Sequence, residues 1–173
     1  PTNATTGAIP FRNVQVAGDT THYAGGELTS TLISHTMLIY DRIFAVAKTM
    51  SSTATEAVTG VPTRYQSTTG GAADSAEGNF LNVQVSVNLG VTAHNWTVCL
   101  YEDQSGNTGI TLPSLTGNPG SAAGSLDHPV ASWFAPLASG DTGISDLEQM
   151  QCSASVTGTL DFVIGHPIAW LAT

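Results

Sequence analysis

The run FLNVQVSVNLGVTAHNWTVCL, residues 80–100, decides the fold. Leu81, Val83, Val85, Val87 and Leu89 alternate with Asn82, Gln84, Ser86 and Asn88. A period of two sends successive side chains to opposite faces of a pleated strand, so one face is written for a core and the other for water or a neighbour. After Gly90 to Asn95, the residues Trp96, Val98 and Leu100 resume the pattern, with Thr97, Cys99 and Tyr101 on the opposite face. The two runs read as an antiparallel hairpin.

Upstream, residues 37–47 (MLIYDRIFAVA) are nearly continuously apolar, and Ile39, Tyr40, Ile43, Phe44 and Val46 favour a strand over a buried helix. Asp41 and Arg42 interrupt it, and alternation places them on opposite faces. A buried charge needs a partner, so at least one of them is expected to meet one across the sheet or across a subunit contact. Residues 49–59 turn polar and small, and Gly60-Val61-Pro62 punctuates the chain. Residues 1–30 are rich in Thr, Gly, Ala and Asn, with Ile9, Phe11, Val14 and Val16 as apolar anchors. They read as an extended arm docked on a neighbouring chain.

Downstream, residues 103–128 are turn formers around a short apolar island at 110–115, a long surface loop. Strand character resumes at 131–137, breaks at Gly140-Asp141-Thr142-Gly143, and runs on through Leu147, Met150, Cys152 and Val156. Gly158-Thr159 reads as the turn of a second hairpin onto 160–164, and Ile168-Ala169-Trp170-Leu171 follows. Short β-type runs between Gly, Pro and Asn turns, without an amphipathic helix, indicate an all-β fold: an antiparallel β-sandwich or jelly-roll-like barrel of about eight strands. The expected organisation is an N-terminal arm over 1–30 and a sandwich domain over 31–173. No fixed-period repeat points to a propeller or solenoid.

Charged residues make up 10% of the chain, and 13 acidic side chains face only Arg12, Arg42, Arg64 and Lys48, for a net charge of −9. Nucleic-acid affinity comes largely from Lys and Arg on phosphates, so a nucleic-acid partner is not expected. A weakly charged surface offers little repulsion against association, which suits a protein packed on neighbours. No apolar run approaches the ~20 residues of a membrane helix, and the first residues lack the basic and hydrophobic regions of a signal peptide. No membrane association is expected, and the sequons at Asn3 and Asn95 carry little weight.

Cys99 and Cys152 lack the short paired spacing of a zinc site or disulfide framework and read as small core hydrophobes. His22, His35, His94, His128 and His166 stand singly, as loop or strand-edge residues, with no metal-binding spacing. There is no Gly-x-Ser-x-Gly, and Asp41, Glu102, Asp103 and Asp161 fall in different segments, so neither catalysis nor a cofactor is expected. Residues 141–146 (DTGISD) give a loose calcium-like hint that an ordinary Asp-Gly turn explains equally.

In their order along the chain these elements resemble small head proteins of tailed bacteriophages, of the decoration or cement type. The resemblance rests on Leu38-Ile39-Tyr40-Asp41-Arg42-Ile43-Phe44, the small-residue run 51–58, and Pro62-Thr63-Arg64-Tyr65. It continues through the alternating strand at 83–89 with the segment 93–109, then Leu137-Ala138-Ser139-Gly140-Asp141-Thr142-Gly143-Ile144 and Pro167-Ile168, and so spans about residues 25 to 172. The resemblance implies a β-sandwich made in the bacterial host cytoplasm and placed on the exterior of the virion. There it would bind the major capsid protein and itself, as a trimer, with no catalytic residues.

The expected subunit or capsid interface combines Ile9, Phe11, Val14 and Val16 of the arm with Trp133, Phe134, Ile168, Trp170 and Leu171. Two other readings compete with it. A carbohydrate-binding or adhesin-like sandwich would use Trp96, Tyr101 and Trp133 as a sugar platform, and a small jelly-roll hydrolase would need convergent carboxylates.

Overall fold

The computed structural model describes residues 36–128 and 132–172. The arm expected over 1–30, with Ile9, Phe11, Val14 and Val16, lies outside the described residues, as do His22 and His35. The described chain is all-β, with strands β1 (Thr36–Thr49), β2 (Glu56–Ala57), β3 (Phe80–Val87), β4 (Asn95–Asp103), β5 (Ile110–Thr111), β6 (Leu115–Thr116), β7 (Ile144–Cys152) and β8 (Thr159–Ala172). Backbone contacts group it into two units, Arg42–His166 and a second one to which the described residues 36–41 and 167–172 belong.

The unit Arg42–His166 is an antiparallel β-sandwich. One sheet has the order β1-β8-β3, and the other β2-β7-β4-β5 with β6 also paired to β4. In the first sheet Leu81, Val83 and Val85 lie opposite Ile164, Phe162 and Leu160. In the second, Trp96, Cys99 and Tyr101 lie opposite Cys152, Met150 and Leu147. All of these belong to one buried cluster. The Trp96 and Phe162 rings meet edge to face at 4.7 Å and 88°, joining β4 of one sheet to β8 of the other. An aromatic pair of this kind adds about 1 kcal/mol to the burial of its area.

The alternation at residues 80–100 correctly marks two strands, but they are not a hairpin. β3 pairs with β8, β4 pairs with β7, and residues 88–94 cross from one sheet to the other. The turn expected at Gly158-Thr159 is likewise a crossing, from β7 to β8. The two crossings interlock: Gly90 N donates to Thr157 O (3.0 Å). Gly158, at φ 114°, passes so close that a Cβ there would sit 2.6 Å from Asn88 O. A crossing lets the apolar faces of consecutive strands confront one another, which a hairpin within one sheet does not.

Residues 132–137, expected as a strand, are irregular. With residues 124–127 they run along the edge of β3: Val85 N donates to Ser125 O, Asp127 N to Val83 O, and Ala135 N to Leu81 O. An edge strand covered in this way has its backbone groups satisfied and offers no template for stray pairing. The long loop 103–128 contributes β5 and β6, each pairing two residues with β4. Arg42 finds its partner within the fold, at Asp161 on β8 (3.2 Å). Lys48, whose side chain is fully buried, pairs with Glu56 at the start of β2. Cys99 and Cys152 are buried free thiols, and burial pushes Cys99 up to about 12.

In the second unit, the described parts of β1 and β8 contribute Ile39, which is buried, and Ile168 and Trp170, which are exposed. Ile168 and Trp170 are two residues apart on β8, so alternation gives them the same face.

Candidate functional site

The residues expected at an interface fall into two sets. Trp133 is 44% exposed in the sandwich unit, and Ile168 and Trp170 are 45% and 52% exposed in the other. Leu171 is half-buried. Phe134 is half-buried, its ring against that of Phe80 at 4.4 Å. Two of the chain's 3 tryptophans therefore stand well out of the core, an uncommon use of a residue whose burial is worth so much.

The sugar platform does not form. Trp96 and Tyr101 are buried, Trp96 against Phe162 and Tyr101 with its hydroxyl bonded to Asp141 and receiving the Ala138 amide, which leaves only Trp133 of the three at the surface. The turn at 141–146 is closed by protein groups, since Gln104 Oε1 accepts from both the Thr142 and Gly143 amides. Among the described residues no group of three or more His, Cys, Asp or Glu side chains is placed to hold a metal ion.

The densest polar constellation is one that sequence spacing did not announce. His94, expected as a loop or strand-edge residue, is buried just before β4, and Asp127, in the segment lining β3, is wholly buried beside it. Asp127 accepts from His94 Nε2 (3.0 Å), from Trp96 Nε1 (3.0 Å) and from the Asn118 amide (2.6 Å). Burial works against the charge on Asp127, but these donors outweigh it and hold the carboxyl below the ordinary carboxylate range. The His94 ring leaves room for nothing larger than glycine at position 117, where a Cβ would overlap it.

His128, the next residue, is also buried, and its Nε2 accepts from the Val83 amide at 2.8 Å. A ring nitrogen that accepts carries no proton, so the neutral ring holds its proton on Nδ1, which has no partner among the described residues. Burial drives the His128 pKa down to about 4 against the partial opposition of Asp127.

A second constellation ties Asn79 to three segments. Its Nδ2 donates to Tyr65 O (2.9 Å) and Ile144 O (3.0 Å), and its Oδ1 accepts from His166 Nδ1 (2.8 Å). The Tyr65 ring stacks on His166 at 3.8 Å, and Tyr65 has a φ of 53°, a left-handed conformation that is strained for an aromatic residue.

Each constellation binds its histidines into the fold and cross-links strands and loops through buried hydrogen bonds. Comparison with protein-family models, with curated proteins and with solved structures finds no match to this chain.

Proposed function

We propose that this chain is a decoration, or cement, protein of a tailed-phage head, one that binds the outer surface of the capsid as a homotrimer and stabilises contacts between major capsid proteins. The observation that carries the reading is the pairing of a weakly charged chain with half-exposed Trp133, Ile168 and Trp170. Tryptophans are the residues on which protein–protein affinity most often concentrates, once the partner desolvates them. The net charge of −9 fits a place on the outside of a shell, away from the genome. The resemblance of its sequence elements, in their order, to small phage head proteins supports the same reading.

In physical terms the protein is a ligand of the assembled shell. Binding the assembled state alone raises shell stability by mass action, without altering the capsid fold. The test is to add the purified chain to heads lacking it and to measure both co-sedimentation and the temperature at which the heads burst. The reading requires saturable binding and a higher bursting temperature. A chain that stays in the supernatant, with bare heads equally robust, overturns it.

A further inference from the structure

We propose that the buried His94–Asp127 pair is an alkaline-sensitive latch that holds the segment 117–128 against β4 and along the edge of β3. The argument begins with what each ring nitrogen faces. Nδ1 of His94 lies 3.0 Å from Thr92 O, a carbonyl that can only accept. Nε2 lies 3.2 and 3.0 Å from the two carboxylate oxygens of Asp127, which already accept the Trp96 indole and Asn118 amide protons. Both contacts are hydrogen bonds only when the pair holds a proton beyond that of a neutral imidazole beside a carboxylate. Whether that proton sits on the ring or is shared with Asp127, the pair loses it in a single titration.

Loss of the proton leaves a buried carboxylate beside a neutral ring, with at least one ring lone pair aimed at an oxygen. That is a costly arrangement for side chains buried as these are. The segment relieves it by lifting away, because Asp127 and Asn118 both lie on it. The same segment carries hydrogen bonds to β3, Gly124 N and Ser125 O to Val85 and Asp127 N and His128 Nε2 to Val83, and one to the crossing after it, Ser121 O to the Leu89 amide. One protonation site thus secures a whole row of edge contacts.

The titratable groups around the pair are His128 beside Asp127, Cys152 of β7, which lies opposite Trp96 and feels the charges of Asp127 and Lys48, and Lys48 of β1, which is itself bound to Glu56. His128 is neutral as an acceptor and Cys152 is a buried thiol, so Asp127 is the charge that governs His94. The hydrogen bond to Asp127 raises the His94 pKa above 6.5; burial opposes it, and the Thr92 carbonyl adds to it. A group raised in the folded state lends stability that is complete below pH 6.5 and is lost as pH rises through its folded pKa. Across that interval the opening constant of the segment rises about tenfold per pH unit.

The test uses the full chain without substitution. Ring nitrogen NMR shifts of His94 are followed from pH 5 to pH 10, alongside amide hydrogen exchange at Val83, Val85 and Asn118, corrected for intrinsic base catalysis. The expected result is a single His94 midpoint above 6.5. Protection at the three amides should fall about tenfold per pH unit through the titration, while amides of the β4–β7 ladder keep theirs. A midpoint at or below 6.5, or protection at Val83, Val85 and Asn118 that merely parallels the β4–β7 ladder, overturns the latch.

Discussion

Replacing His128 by Gln tests whether burial of a neutral histidine sets the acid limit of this fold. His128 Nε2 accepts the Val83 amide inside the protein, and charging the ring removes that acceptor while placing a cation where no described group receives it. The folded-state value of about 4 lies below the ordinary 6.5, so the stability tied to the neutral ring is complete above pH 6.5 and drains away as pH falls toward 4. At ~1.4 kcal/mol per unit the full shift is worth about 3 kcal/mol, of which about 2 kcal/mol is lost between pH 7 and pH 4.5. His128→Gln keeps an oxygen that can accept from Val83 and has no proton to gain. Urea unfolding of both proteins at pH 7 and pH 4.5 gives a difference of differences in which the common carboxylate background cancels. The variant should lose about 2 kcal/mol less than the parent on acidification. Equal losses in the two proteins would refute the reasoning, whatever the absolute stability of the variant.

Gly117→Ala should cost about 3 kcal/mol in denaturant unfolding, because the new methyl overlaps a His94 ring that is pinned at both nitrogens and cannot step aside. Trp170→Ser should leave the unfolding free energy within about 1 kcal/mol of the parent, while the proposed binding to bare heads weakens about thirtyfold in a sedimentation titration, the ~2 kcal/mol expected of a hot-spot side chain. Cys99 and Cys152 should resist iodoacetamide at pH 8 in the folded protein and take up two labels by mass spectrometry once urea exposes them, since buried thiols form little thiolate.

The strands were legible because alternation is a local property. Leu81, Val83 and Val85 stand in the sequence as the face they form in the structure. In β4, by contrast, Cys99 and Tyr101, which alternation put opposite Trp96, join it in the core, because the pairing with β7 shifts register between Trp96 and Val98 and between Leu100 and Tyr101. Strand partners were not legible, since a run of alternating residues looks the same whether the next strand pairs beside it or faces it across a core. The choice at residues 88–94 turns on bonds such as Leu89 N to Ser121 O and Gly90 N to Thr157 O, made with segments far along the chain. His94 and Asp127 are separated by 33 positions, so no spacing motif joins them. The nearest signal was the adjacency of Asp127 and His128 after a glycine-rich loop. Composition singled out the aromatic residues but not their depth: Trp96 and Tyr101 went to the core, Phe134 went against Phe80, and Trp133 and Trp170 stayed outside.

The interlocked crossings also bear on how the molecule comes to be folded. Leu81 finds its place opposite Ile164, and Trp96 opposite Cys152, so apart from the short β4–β5 turn the long pairings of both sheets join distant segments. Such distant pairings put folding in the range of milliseconds to seconds, since loop closure must precede any reward from contact. β8 occupies the centre of its sheet although it follows every other described strand in the sequence, and β1 and β3 flank it. During synthesis these two therefore wait with their pairing groups open until residues 159–166 leave the ribosome. That interval is when the nascent chain is most exposed to aggregation and to chaperone capture.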